Sequence, residues 1–107
     1  MQFNERLVDG HLTVFMRVDN KPVGFYRIDT RDMDNSRTVH GKIKIFNKGK
    51  GYSRPLIEYV IGILAEKKVV YCVYLTSEES EQKLTHIFKE NGYTEEAGTF
   101  LLRDYSK

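Results

Sequence analysis

The chain of 107 residues has no tryptophan, two prolines and a single cysteine. That cysteine, Cys72, cannot form an intramolecular disulfide, and alone it cannot build a cysteine-based zinc site. We therefore expect a protein of a reducing compartment, the cytoplasm by default, in which Cys72 is a small buried hydrophobe.

Long apolar runs and a strong charge of one sign are lacking as well. No window approaches the roughly 18 apolar residues of a membrane span, and the start of the chain shows no basic-then-apolar leader. Seventeen Lys and Arg against fifteen Asp and Glu give a net charge of +2, unlike a dedicated nucleic-acid binder. With 40% hydrophobic residues, the sequence predicts one unexported domain over residues 1–107 that stays out of membranes.

What the chain does have is clear periodicity. Apolar residues alternate with a period of two in the first half, as in Leu12, Val14 and Met16. In the second half, apolar residues recur at the spacing of amphipathic helices in two segments. Between these segments lies one nearly continuous apolar stretch, which is typical of a central strand. We expect an α/β domain of order β-β-β-α-β-α-β, with helices packed on a mixed, mostly antiparallel sheet. The predicted strands lie near residues 11–18, 22–29, 38–46, 69–75 and 99–105, and the predicted helices near 52–66 and 78–91.

A loop rich in glycine and lysine joins the third predicted strand to the first predicted helix. Free backbone N–H groups and the positive end of the helix dipole favour an anion there, and glycines let a phosphate approach the backbone. The loop is not a Walker A motif, and by itself it fits an ordinary solvated loop equally well. Its residues are Lys48, Gly49, Lys50, Gly51, Tyr52 and Ser53.

The element order and this loop together resemble the Gcn5-related N-acetyltransferase (GNAT) superfamily. The family's loop reads Gln/Arg-x-x-Gly-x-Gly/Ala, which Gly51 matches, while Lys48 and Ser53 replace the usual end residues. A second segment, residues 84–93, resembles the family's helix ending in Leu-Tyr-x-x-x-Gly-Phe. The two motifs cover about residues 38–105. The resemblance implies acetyl-CoA binding by Ile45, Lys48, Gly49, Lys50, Gly51, Tyr52, Ser53, Glu81 and Phe88.

The sequence departs from the family's pattern at several places. The tyrosine that often protonates the departing coenzyme A thiolate maps onto Phe88, and an asparagine near the start of that helix maps onto Glu81. The family also begins with a strand and two helices that wall the acceptor site, whereas only residues 1–10 precede the first predicted strand. We therefore expect a short form without this strand-helix-helix, open to a protein or other macromolecular acceptor.

Candidate acids and bases lie around the same segment. His40, on the strand that leads into the loop, could titrate near neutrality and is the first candidate for a general base, although an exposed strand histidine is more often an ordinary surface residue. Tyr71 and Tyr74 could donate a proton in place of Phe88, or could simply be core. No spacing of His, Cys, Asp and Glu resembles metal ligation, so we expect no metal.

The resemblance implies an N-acetyltransferase that moves an acetyl group from acetyl-CoA to an amine, and exposed sheet edges favour a homodimer. Two alternatives remain open. The first is a catalytically silent module of the same fold that binds another protein. The second, less favoured because no stacking motif supports it, is a nucleic-acid contact surface. That surface would be the basic patch Lys42, Lys44, Lys48, Lys50, Tyr52 and Arg54.

Overall fold

The computed structural model describes residues 1–30, 38–46, 49–74, 79–98 and 100–107, and for residues 38, 39, 74 and 79–81 it describes the backbone alone. Nine elements follow one another in these ranges. The strands are β1 (Gln2–Val8), β2 (His11–Val18), β3 (Lys21–Asp29), β4 (Thr38–Ile45), β5 (Val70–Tyr74), β6 (Thr94–Glu96) and β7 (Phe100–Asp104). The helices are α1 (Ser53–Lys67) and α2 (Glu79–Glu90).

The seven strands form one sheet in the order β1-β2-β3-β4-β5-β7-β6. Neighbouring strands run antiparallel except for β4 and β5, which run parallel. The mixed, mostly antiparallel sheet with two helices is therefore confirmed. Each strand and helix predicted from periodicity is present, with ends that differ by one residue at most.

Two strands were not predicted, and both lie at an edge of the sheet. β1 exposes most of its side chains, so its apolar alternation is weak. The three residues of β6 are all exposed and polar, which left no periodic pattern to read. The expectation that the N-terminal strand is lacking is therefore wrong.

Both helices pack on one face of the sheet, which we call the helix face. There the strand residues Val14, Met16, Tyr26 and Ile28 are buried under apolar residues of the two helices, because successive strand side chains point to opposite faces. The helix residues that cover them are Leu56, Ile57, Val60, Leu64, Ile87 and Phe88.

The opposite face of β1 to β4 carries no helix in the described part of the chain, and we call it the open face. Its exposed side chains include those of Arg6, Arg17, Arg27, Lys42 and Lys44. Neither described helix is long and apolar enough to cross a membrane.

Candidate functional site

The parallel strands β4 and β5 separate after a short contact. Thr38 to His40 pair with Val70 to Cys72, and within the described residues the pairing stops there. From Gly41 to Ile45, β4 pairs with β3 alone, while β5 stays paired with β7. The two strands therefore form a cleft whose inner edges have backbone N–H and C=O groups without a strand partner, and such edges can bind an extended chain.

The glycine-rich loop lies at the wide end of this cleft, between the end of β4 and the start of α1. Gly49 and Gly51 adopt φ values of +84° and +75°, and a Cβ at either position would meet nothing within 4 Å. The side chain of the N-cap residue Tyr52 forms no capping hydrogen bond to the first turn of α1, and that turn contains no acidic residue. The loop therefore presents open space to the positive end of a helix, as an anion site requires.

Two buried tyrosines lie at the narrow end of the cleft. The Tyr71 hydroxyl of β5 donates a hydrogen bond of 2.6 Å to the Tyr26 hydroxyl of β3, and neither side chain is exposed to more than 1%. They meet over Gly41, the first residue of β4 beyond its contact with β5. A Cβ at position 41 would lie only 1.9 Å from the Tyr71 hydroxyl oxygen, so the pair depends on this glycine.

Burial raises the pKa of Tyr71 well above its ordinary value and also raises the pKa of Tyr26. Both phenols therefore stay protonated at neutral pH and act as hydrogen-bond donors rather than bases. Because Tyr26 accepts the hydrogen of Tyr71, its own hydroxyl hydrogen remains for a second acceptor.

Phe88 of α2 lies beside this pair and is 2% exposed. Its ring makes edge contacts with Tyr26 at 6.4 Å and with Tyr93 at 5.0 Å between centroids. The cluster continues to Tyr105, whose hydroxyl donates to that of Tyr93 over 3.1 Å. The position implied for the family's proton donor thus lies at the tyrosine pair.

Tyr26 was not identified from the sequence. It shares its strand face with the buried Ile28, and that alternation was the available signal.

His40, the candidate base, is exposed at the last position where β4 pairs with β5. It shares the parity of Lys42 and Lys44 and therefore lies on the open face, across the sheet from Tyr71. Neighbouring Cys72 of β5 is buried, and burial raises the pKa of its thiol, as expected for a small core residue.

The remaining site residues divide into three groups. Ile45, Lys50, Tyr52 and Ser53 lie with the two loop glycines at the end of β4 and the start of α1. Lys48 and the side chains of Glu81 and Tyr74 fall outside the described residues. No group of His, Cys, Asp and Glu in the described ranges is placed to hold a metal ion.

The predicted basic patch is divided by the fold. Arg54 points to α2, where its guanidinium lies 2.8 Å from the Glu90 carboxylate. Lys42 and Lys44 instead belong to the open face. Arg54 therefore ties the two helices together rather than extending a surface with the lysines of β4.

Comparison by sequence finds no match among protein-family models or curated proteins. Solved structures do resemble the chain. A spermidine N-acetyltransferase from Vibrio cholerae in complex with CoA and spermine matches with a TM-score of 0.75 and 15% identity, over 92% of this chain and 68% of that one. The N-acetyltransferase PseH of Campylobacter jejuni matches with a TM-score of 0.64 and 16% identity, over 89% and 67%. The GNAT domain of PAT from S. lividans matches with a TM-score of 0.70 and 13% identity, over 89% and 61%. The chain has the GNAT fold.

The GNAT fold of this chain is short, since it spans about two thirds of the length of those structures. β1 joins β2 directly through the turn at Asp9 and Gly10, both with positive φ, as a two-residue hairpin turn requires. No helix therefore stands between these two strands, in agreement with the expected loss of the two helices.

Proposed function

We propose that the chain is an N-acetyltransferase that moves the acetyl group of acetyl-CoA to an amine. The observation that carries the proposal is the separation of β4 from β5, with an uncapped helix start and two open glycines at one end and a tyrosine pair at the other. The unpaired strand edges suit the amide-containing pantetheine arm of coenzyme A. The loop at Gly49 and Gly51 suits its pyrophosphate.

The reaction is a direct acyl transfer. The amine nitrogen attacks the thioester carbonyl carbon, the carbon–sulfur bond breaks, and the electron pair leaves on the coenzyme A sulfur. The amine loses one proton, and the sulfur gains one. Holding the thioester beside the amine accelerates the reaction, because a bimolecular step becomes effectively unimolecular.

Tyr26 and Tyr71 act as the hydroxyl donors towards the departing thiolate, a role that Phe88 cannot fill because it has no hydroxyl. The hydroxyl hydrogen of Tyr26, free once Tyr71 donates to it, stabilises charge on the departing sulfur. We expect Tyr71→Phe to lower kcat about 10- to 100-fold while CoA affinity changes little, because general acid catalysis contributes about 10²–10⁴-fold and Tyr26 keeps its hydroxyl. Steady-state kinetics with calorimetric CoA titration measures both. An unchanged kcat would remove the pair from the mechanism.

His40 is the proposed base, because it is exposed beside the point where the strands part. If solvent takes the amine proton instead, His40→Gln leaves the pH profile of kcat/KM unchanged. If His40 takes it, the fall of activity on the acidic side of the profile, where a histidine base becomes protonated, disappears in this variant.

The proposed acceptor is an amine carried on a macromolecule. Arg27, Lys42 and Lys44 line the open face beside the cleft, and these cations would repel a small polycationic amine. The open face has no described helix that would enclose a small acceptor. A panel of spermidine, peptide and nucleic-acid-linked amines compares acceptors directly, and preference for spermidine would overturn this assignment.

Coenzyme A binding tests the whole proposal. We expect CoA to bind with micromolar affinity in calorimetry and to stabilise the fold by about 2.7 kcal/mol at roughly 100 times Kd. Gly51→Ala should weaken this binding at least tenfold. Gly98→Ala is the matched control, since Gly98 also has positive φ and open space around it but lies in the β6 to β7 turn. No binding at millimolar CoA, or equal effects of both variants, would contradict the proposal.

The second candidate function is a catalytically silent module of this fold, which the missing hydroxyl at Phe88 favours. Thiol release from acetyl-CoA in the presence of the amine panel separates the two. CoA binding without thiol release for any acceptor would favour the silent module.

A further inference from the structure

The open face orders its side chains in two parallel rows across β1 to β4. The strand register places Arg6, Thr13, Arg27 and Lys42 side by side in one row, which we call the cationic row. The next row, two residues along each strand, contains Asn4, Phe15, Phe25 and Lys44, and we call it the aromatic row. The rows lie roughly 7 Å apart, since a strand rises about 3.4 Å per residue.

The two rings of the aromatic row, together with Phe46 beside it, form a strip of three neighbouring rings. Phe15 and Phe25 lie 6.2 Å apart between centroids, and Phe46, just beyond β4, lies 6.0 Å from Phe25. Phe46 is 49% exposed, and the other two rings are half-buried by their neighbours. The strip therefore has ring surface open to solvent in the middle of the sheet.

Within the described part of the chain, no carboxylate forms an ion pair with the cations around the strip, which are Arg6, Arg17, Arg27, Lys42 and Lys44. Of the described carboxylates, that of Asp29 at the end of β3 shares this face, where Asp29 lies opposite His11. The positive charge of the face is thus left for a partner that carries negative charge.

We infer that the open face binds single-stranded nucleic acid, with phosphates on the cationic row and bases on the aromatic row. A single strand of nucleic acid has anionic phosphates along one side and planar bases along the other, which matches the two rows. An acidic peptide would pair with the cations but would leave the rings without a stacking partner. A duplex fits this surface less well, because its bases are already stacked on one another and cannot stack on the aromatic row. This binding site lies outside the acetyl-CoA cleft, on the face from which the proposed acceptor would approach, and binding to it does not require acetyl transfer.

Fluorescence anisotropy with labelled 15-nucleotide oligo-dT and oligo-U, and with a 15-base-pair duplex, tests the inference. We expect the single strands to bind at least tenfold more tightly than the duplex. If the three cations of the cationic row neutralise three phosphates, raising the salt from about 50 to 200 mM should weaken binding about 20-fold.

Variants locate the binding surface. Arg27→Gln with Lys42→Gln should weaken binding at least tenfold and reduce the salt dependence, since two phosphate contacts are lost. Lys67→Gln with Lys83→Gln removes the same charge from the two helices and should change affinity less than twofold. Phe25→Leu keeps an apolar side chain but removes a stacking ring, and it should cost at least about fivefold. Urea unfolding of each variant shows that the fold is kept.

Three outcomes would overturn the inference. The first is no binding of either oligonucleotide at 100 µM protein in low salt. The second is equal affinity for duplex and single strands with no effect of Phe25→Leu, which would indicate charge attraction alone. The third is tighter binding of a labelled 15-residue peptide of alternating glutamate and leucine, which would assign the face to an acidic protein segment.

Discussion

At the scale of single residues, the site depends on one glycine that no sequence motif marks. A Cβ at position 41 would lie 1.9 Å from the Tyr71 hydroxyl oxygen, 2.7 Å from the Tyr26 ring and 2.9 Å from the Arg27 carbonyl oxygen. Two of these neighbours belong to large buried side chains, and the third is backbone, so none can move away easily. The glycine is therefore what lets the tyrosine pair form where the strands part.

We predict that Gly41→Ala lowers the free energy of unfolding by about 2–3 kcal/mol, because overpacking a core forces side chains and backbone to shift. Urea denaturation measures the change. Gly62→Ala is the control, since Gly62 lies in α1 with open space around it, and alanine there should stabilise the fold by about 0.5–1 kcal/mol. A Gly41→Ala protein as stable as the parent would show that Tyr71 lies elsewhere.

Phe88 gives a second prediction at this scale. Its ring is 2% exposed and packs against Tyr26 and Tyr93, so the hydroxyl of Phe88→Tyr would enter the core. We expect a loss of about 1–3 kcal/mol in unfolding free energy, the cost of burying a polar group without a partner, and no gain in kcat. Denaturation and kinetics on the same preparation check both. A stable variant with faster turnover would instead place the family's proton donor at this position.

At the scale of elements, α1 and α2 are joined by exposed charges. The Glu90 carboxylate lies 2.8 Å from both the Arg54 guanidinium and the His86 imidazole. The hydrogen bond from Arg54, followed by the charges of Arg54 and His86, holds the pKa of Glu90 below its ordinary value. A carboxyl with a lowered folded-state pKa stabilises the fold above its unfolded pKa, and this stabilisation is lost as the pH falls through the folded value.

We therefore predict that Glu90→Gln is less stable than the parent at pH 7 and equally stable near pH 2. Glu66→Gln, an exposed change on α1, should show no such pH dependence. Urea denaturation at the two pH values measures how far the unfolding free energy of each variant differs from that of the parent. A deficit for Glu90→Gln that persists at low pH would contradict the ion-pair explanation.

The same scale shows what the sequence could predict. Strands such as β2 and both helices bury one side, so their apolar residues follow the period of the element. β1 and β6 bury almost none of their side chains, so no apolar alternation marks either strand. For β1, the Asp9-Gly10 pair before β2 was nevertheless a recognisable hairpin signal. The loop glycines could be identified from local spacing. The Tyr26 and Tyr71 pair could not, because it joins residues 45 positions apart through the register of three strands.

At the scale of the whole molecule, the two faces of the sheet serve different purposes. The helix face contains the apolar core and the tyrosine cluster, while the open face of β1 to β4 has exposed cations and partly exposed rings. A net charge of +2 conceals this difference, because many acidic residues lie on the helices and turns. Composition alone therefore argued against nucleic acid, whereas the register of the strands argues for it.

The edge of the sheet leads to the last prediction, a homodimer that pairs through β1. This seven-residue strand contains neither proline nor lysine, and its outer N–H and C=O groups face no strand in the described residues. Leu7 and Val8 are 69% and 54% exposed beside that edge. Proteins usually protect such an edge, and a second copy paired antiparallel would do so while keeping both open faces on the same side.

We expect light scattering to give twice the chain mass of 12.5 kDa at micromolar concentration. Leu7→Lys should shift the equilibrium towards the monomer without loss of stability, because Leu7 is mostly exposed in a single chain and apolar contact would be its role between chains. Ala65→Lys adds the same charge on α1 and should leave the dimer intact. A monomer at 100 µM would refute the dimer. A dimer that survives Leu7→Lys would place the contact at another surface, with β6 at the opposite edge as the next to be tested.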